Sequence, residues 1–200
     1  MTFVAITAAM LTTSMGVAAD PQATASGYAT AQVIPFMQDF PDLRRELAKQ
    51  NSAREGWDEY TEDWKGWSPE DAASHPNSYA HAEYVWSVQK DKSFRSAHMS
   101  SPIADKLRAF QDSSHGAIAE FFITDARGGN VVQTQPTSDW FQGDEAKFKK
   151  VANKKDLFCG EPQRDDTVGT TGVHVSIPIW SEEDTFLGVA VVLIVVDEVN

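Results

Sequence analysis

Between residues 173 and 179 two kinds of side chain alternate strictly: Val173, Val175, Ile177 and Ile179 against His174, Ser176 and Pro178. In an extended strand successive side chains point to opposite faces, so His174 and Ser176 share one face, two residues apart. If both faces are covered, that polar pair suits a wet pocket and a polar ligand. The other reading places it in solvent at the sheet's open end. A second pair, Asp139-Trp140, sits at a turn into a helix. An indole offers a stacking wall with one donor, and a carboxylate grips an ammonium group. Alternatively, Asp139 caps the turn and Trp140 is core. Lys147 could hold an anion, or pair with Asp144 one helical turn earlier. Asp139, Trp140, Lys147, His174 and Ser176 are the ligand-binding candidates.

Other chemistries find no support. The five histidines, His75, His81, His98, His115 and His174, contain no i, i+4 pair and no HExxH pattern, so no metal ligand is assigned. There is no nucleophile elbow and no Ser-His-Asp arrangement, so no catalytic residue is named and an enzyme ranks last. Gly128-Gly129 lacks the strand-to-helix context and the lysine of a phosphate loop. The single cysteine, Cys159, reads as a small buried hydrophobe. It excludes an internal disulfide, a thiolate metal cluster and a c-type haem attachment. Asp39 with Asp42, and Glu182 with Glu183, read as solvated carboxylates. No cofactor is expected.

Seventeen basic and 29 acidic side chains leave a net charge of −12 over 200 residues. Phosphate backbones need a basic footprint, so a nucleic-acid partner is excluded, and adhesion to an anionic membrane is disfavoured. Six Trp and eleven Phe argue for a packed core in one domain. Residues 1–19 carry no charge and hold an apolar run ending in Val17-Ala18-Ala19 before Asp20. This reads as a signal peptide cleaved after Ala19, giving a soluble periplasmic or secreted chain with no lipid anchor. The other long apolar run, Phe186 to Val196, has eleven residues, too few to span a bilayer.

These residues need elements to position them. Residues 20–32, rich in Ala, Ser and Thr, read as a flexible leader, and 33–200 as a single domain. Val33, Phe36, Met37, Phe40, Leu43 and Leu47 form one helical stripe, broken near Phe40 by Pro41. Residues 51–81 read as an irregular Trp-rich excursion around a short helix capped at Ser68-Pro69. Its aromatics either pack onto the core or present a partner surface. Ser101-Pro102 opens a helix burying Ile103, Leu107 and Phe110, which ends at 113–116. From there the period is that of strands. Phe121–Thr124 and Val131–Thr134 form a hairpin across Asp125–Asn130, and a short helix from about Asp144 carries Phe148 and Val151 inward. Strands follow at 155–161, 173–179 and 186–196. The last is β-branched and apolar on both faces, so it belongs in the middle of its sheet.

The stretch Phe122-Ile-Thr-Asp-Ala-Arg-Gly-Gly-Asn-Val131 resembles the first hairpin of Cache domains, the PAS-like extracytoplasmic sensors of bacterial signalling proteins. Thr137 to Lys147 resembles the segment after it. Val175-Ser-Ile-Pro-Ile179 and Phe186-Leu-Gly-Val-Ala190 resemble the last two strands. The likeness is nearest to small secreted single-Cache proteins. It implies an α+β fold with N-terminal helices packed on a five-stranded antiparallel sheet, and a pocket under the overlying loop. It also implies a small-molecule ligand and a role in signal transduction through a separate membrane partner or a homodimer. The spaced Tyr, Arg, Trp, Tyr and Asp signature of amino-acid-binding double Cache receptors is not visible, so no ligand class is carried over. The competing reading is an interaction module with a self-filled pocket that docks a partner through the Trp-rich excursion. A polar, partly empty space behind Trp140 and His174 would mark the first. A closed core there, with an exposed apolar patch at Trp57, Trp64 and Trp67, would mark the second.

Overall fold

A computed structural model describes residues 20–165 and 170–199. The expected signal peptide lies outside the described residues.

Three helical segments come first among the described residues. Helix α1, Pro21–Tyr28, runs through a π-helical turn, Ala29–Val33, into α2, Ile34–Gln38. Helix α3 follows at Pro41–Ala53. The leader expected at 20–32 is therefore corrected to helix. Asp20 accepts from the Gln22 amide as N-cap and Pro21 stands at the first helical position, a strong start signal. Ala25, Ala29 and Val33 are fully buried against the sheet, so small residues there permit close approach rather than flexibility. The break at Pro41 is where the pattern placed it.

The excursion is more ordered than its composition suggests. A short 3₁₀ turn at Glu62–Gly66 leads to α4, Pro69–Ala73, closed by a reciprocal Ser68–Asp71 capping box. Helix α5, Tyr79–Tyr84, continues into a π-helical turn, Val85–Gln89. Then come α6, Lys92–Ala97, and α7, Pro102–Ser113.

The sheet contains β1 (Ile118–Thr124), β2 (Asn130–Gln133), β3 (Phe158–Cys159), β4 (Gln163–Asp165), β5 (Thr170–Trp180) and β6 (Phe186–Ile194). Helix α8, Ala146–Lys154, lies between β2 and β3. The main path is β2-β1-β6-β5-β3, and every described pairing is antiparallel; β4 pairs with the N-terminal end of β5. The five strands of that path carry the PAS-like order, with the last strand in the centre. β6 is buried along nearly its whole length because β1 and β5 flank it and helices cover both faces.

One face packs on α1–α3 and α7 through Phe121, Ile123, Val173, Val175, Ile177, Val192 and Ile194. The other meets α8 through Phe122, Val189, Val191, Phe148 and Val151. A third cluster, Tyr79, Ala82, Trp86, Trp140 and Phe141, seals the hairpin end of the sheet. Gly128, at φ 102°, makes the hairpin turn that this cluster surrounds. No described helix is long and apolar enough to cross a membrane.

Candidate functional site

The hairpin turn is organised by one buried carboxylate. Asp125, fully buried at the end of β1, accepts from the Arg127 and Gly129 amides at 2.9 Å each. An aspartate that bonds its own backbone two residues on stabilises the turn. Its other oxygen accepts from Tyr79 Oη at 2.8 Å and Arg54 Nη1 at 2.7 Å. Arg54 closes α3 and is only 7% exposed. A second guanidinium nitrogen donates to the Asn130 carbonyl at 3.3 Å, and the group lies over the rings of Trp57 (5.5 Å) and Trp140 (5.0 Å). Arg127 stacks on Tyr79 at 4.4 Å and donates to the Trp57 and Arg54 carbonyls. The excursion is thus latched to the hairpin by two arginines. Burial, joined by the nearby Asp125 charge, drives the Tyr79 hydroxyl far above its ordinary pKa, so it stays a neutral donor.

Trp140 is fully enclosed. Its Nε1–H donates to His98 Nε2 at 2.8 Å, while His98 Nδ1 lies 2.8 Å from the Phe94 carbonyl. That pair of bonds fits only the neutral Nδ1–H imidazole. Desolvation, reinforced by the Arg54 charge, lowers the His98 pKa to about 4. Glu83, buried on α5, accepts from the Trp140 and Phe141 amides at 2.8 and 2.6 Å and from Ser87 Oγ. Burial raises its pKa. The Trp140 segment is therefore held through its backbone by Glu83 and through its ring by His98.

Beside this assembly lies a cleft of about 560 Å³ between α3, the α6–α7 junction and β2. Arg54 and His98 line its inner end. One wall is apolar: Phe94, Pro102, Ile103, Val131 and Val132. The opposite wall is the charged flank of α3, where Arg45 pairs with Asp42, and Lys49 with Glu46 at 3.5 Å. Of the five N–H groups of Arg54, two are committed to Asp125 and Asn130. The remaining three suit a carboxylate or another planar anion.

The five sequence candidates do not converge. Trp140 is core, as its alternative reading had it, and packs under Arg54. Asp139 is exposed at the next position and uses its carbonyl more than its carboxylate. Lys147 pairs with Glu145 at 3.1 Å, not with Asp144, and lies over the Phe122 ring at 5.2 Å. His174 and Ser176 do share a face, but both are buried. His174 meets Gln163 at 2.9 Å and Glu120 at 3.5 Å; Ser176 Oγ has no partner among the described residues. Trp140 and His174 are both buried, and neither lines the cleft of about 560 Å³. The excursion's rings are half-buried and pair with other rings: Tyr60 stacks on Phe141 at 4.0 Å, Trp64 donates to Tyr60, and Trp67 stacks on the exposed His75. Val88, 52% exposed, is the large exposed hydrophobic among the described residues. Arg54, Asp125, Tyr79 and His98 escaped the sequence reading as a site, although Asp125 and Arg127 stood inside the motif that carried the resemblance.

No family model matches the chain, and no curated protein does. Among solved structures it is similar to the ligand-binding domain of the Pseudomonas aeruginosa PAO1 amino-acid chemoreceptor PctC in complex with GABA. That match has 17% identity and a TM-score of 0.38, over 52% of this chain and 50% of that one. It is also similar to an extracellular ligand-binding receptor from Desulfohalobium retbaense, with 14% identity and a TM-score of 0.39, over 80% of this chain and 26% of the other. The sensory domain of the Campylobacter jejuni chemoreceptor Tlp3 with isoleucine bound matches at 11% identity and a TM-score of 0.39, over 90% of this chain and 65% of the other. In each case the matched part is less than two thirds of the other chain. The strand order and layering described above make this chain an α+β domain with a PAS-like antiparallel sheet.

Proposed function

We propose that the chain is an exported sensor domain that binds a small anionic molecule in the cleft beside Arg54 and passes its occupied state to a separate membrane partner. The observation that carries the reading is the buried Arg54 guanidinium, which lines an open cleft of about 560 Å³ and has three N–H groups without a partner among the described residues. An apolar wall facing a charged one suits a carboxylate with a short apolar body. The signalling role and the export rest on the Cache resemblance and the leader sequence.

The test is a thermal-shift screen of residues 20–200 against amino acids, small carboxylates and amines. A ligand at 100 times its dissociation constant stabilises by about 2.7 kcal/mol, a rise of roughly 5–10 °C for a chain of this size. Ala97, exposed on the cleft wall, gives the control. Ala97→Trp fills the cleft without entering the core and abolishes the shift, whereas Lys147→Ala and His174→Ala leave it. A screen in which no carboxylate shifts the protein, or a carboxylate hit indifferent to Ala97→Trp, removes the reading.

A further inference from the structure

The cleft beside Arg54 has a second pole. Ser101, Pro102 and Ile103, where α7 begins, line it together with Arg54. Helix α7 has 12 residues, long enough for its aligned peptide dipoles to leave a partial positive charge at this end. Its first donors are only partly used. Pro102 has no amide hydrogen. The Ala104 amide donates to Ser101 Oγ at 3.1 Å, and the Asp105 amide to the Ser101 carbonyl at 2.9 Å. The Ile103 amide and the Ser101 hydroxyl hydrogen have no acceptor among the described residues. Asp105, the acid in this first turn, is exposed and pairs with Arg108.

A helix end alone attracts an anion weakly, but here it shares its cleft with a buried guanidinium. The Arg54 side chain is 9% exposed, lines the cleft, and has no acceptor for its Nε–H among the described residues. The two poles are close. Arg54 lies over the Trp140 ring at 5.0 Å, and the same ring donates to His98 Nε2 at 2.8 Å. Ser101 follows His98 by three residues, so their Cα atoms are at most about 11 Å apart. A hydrogen bond at each pole and a spacer of about two to four carbons fill an interval of that order. Phe94, Val131 and Val132 supply the apolar wall that such a spacer needs.

We propose, on the footing that the cleft is an anion site, that its ligand carries an anionic group at each end of a short apolar spacer. One end is a carboxylate on Arg54. The other, a carboxylate or a phosphoryl group, sits on the amino end of α7 and takes the Ile103 amide and the Ser101 hydroxyl. The acids that line the cleft do not oppose it, because they are already engaged on α3. Asp42 pairs with Arg45, and Glu46 with Lys49 and the Gln50 side-chain amide. A neutral or cationic second end gains nothing at α7, where the free groups are donors at the positive end of a dipole.

Calorimetric titration of residues 20–200 compares malonate, succinate and glutarate with their half-amides, and 3-phosphonopropionate with succinamate, near neutral pH and at equal ionic strength. At least one dianion binds about tenfold or more tighter than its half-amide, the worth of one charge-assisted hydrogen bond at a helix end. A preference carried by the dicarboxylates makes the second end a carboxylate; one carried by the phosphonate makes it a phosphoryl group. Ser101→Asp keeps the helix cap, since aspartate accepts the Ala104 amide as serine does, but sets a negative charge at the second pole. It abolishes the preference, read as the ratio of two affinities in one variant. Ser113→Asp, the same charge exposed at the far end of α7, keeps it. Half-amides that bind as tightly as the dianions overturn the second pole and leave the anion cleft standing. No binding by either overturns both. A preference that survives Ser101→Asp, or is lost equally in Ser113→Asp, overturns its assignment to the start of α7. The wild-type comparison stands even if a variant fails to fold.

Discussion

Replacing Arg54 with Met separates the latch from the rest of the fold and gives the sharpest stability test. The substitution removes the guanidinium that donates to Asp125 Oδ2 at 2.7 Å and to the Asn130 carbonyl at 3.3 Å. Asp125 then keeps its two backbone amides and the Tyr79 hydroxyl but stays a fully buried carboxylate without a cation. Breaking a buried ion pair from one side costs about 3–5 kcal/mol. The three retained donors place this case toward 3, and the methionine keeps contact with Trp57 and Trp140. That is a fall in Tm of roughly 6–12 °C. Asp125→Asn in the same chain removes the stranded charge while its oxygen keeps the Arg127 and Gly129 amides. The double variant should therefore recover more than half of the loss. Urea unfolding of the four proteins closes the cycle, provided the m-value is unchanged. A loss below about 1 kcal/mol in Arg54→Met, or a double variant as unstable as the sum of the singles, refutes the account of Asp125 as a charge that needs its partner.

Other expectations concern pH and packing. The neutral form of His98 is favoured in the fold, with a pKa of about 4 against 6.5 unfolded, so its contribution is whole above pH 6.5 and is lost as pH falls toward 4. That loss is about 3 kcal/mol. The raised pKa of Glu83 acts oppositely, since the fold then binds the proton more readily and loses stability as pH rises. The difference curve between wild type and His98→Gln isolates the histidine, and a flat difference from pH 7 to 4 contradicts its burial as a neutral acceptor. Gly129→Ala would place a methyl 2.5 Å from the Trp140 ring and 2.8 Å from Tyr79, so it should cost more than about 3 kcal/mol by denaturant titration. A mild effect means the hairpin–aromatic contact is looser than described. Lys147→Ala should change stability by less than about 1 kcal/mol, because its ion pair to Glu145 is partly solvent-exposed.

The elements were legible where one periodicity ruled. The Val33–Leu47 stripe, the helix after Ser101, the β5 alternation and the central β6 all followed from spacing, since burial on one face or two leaves that mark on a sequence. The helix at residues 21–33 was missed because alanine packing against a sheet has the composition of a linker. Helices α5 and α6 were missed because they are short and their stabilising partners lie at residues 125–142. The site was less legible for the same reason. Arg54, Tyr79, His98 and Asp125 are brought together by tertiary packing across as many as 71 residues, and no local pattern encodes it. His174 and Ser176 were placed on the right face, but alternation says nothing of what fills the space above that face.

The double-arginine latch also has a kinetic meaning. Arg54 reaches Asp125 across 71 residues, and Arg127 reaches the Trp57 carbonyl across 70. Neither bond can form until the β1–β2 turn has presented its carboxylate and guanidinium, and each closes a long loop. The β1–β2 hairpin is local, so it is expected to form before either latch bond closes. In the reverse direction, release of the excursion breaks none of the pairings between the sheet's strands. Amide exchange and limited proteolysis should begin in residues 54–78 while β6 stays closed, so the chain opens from its latch before it opens from its core.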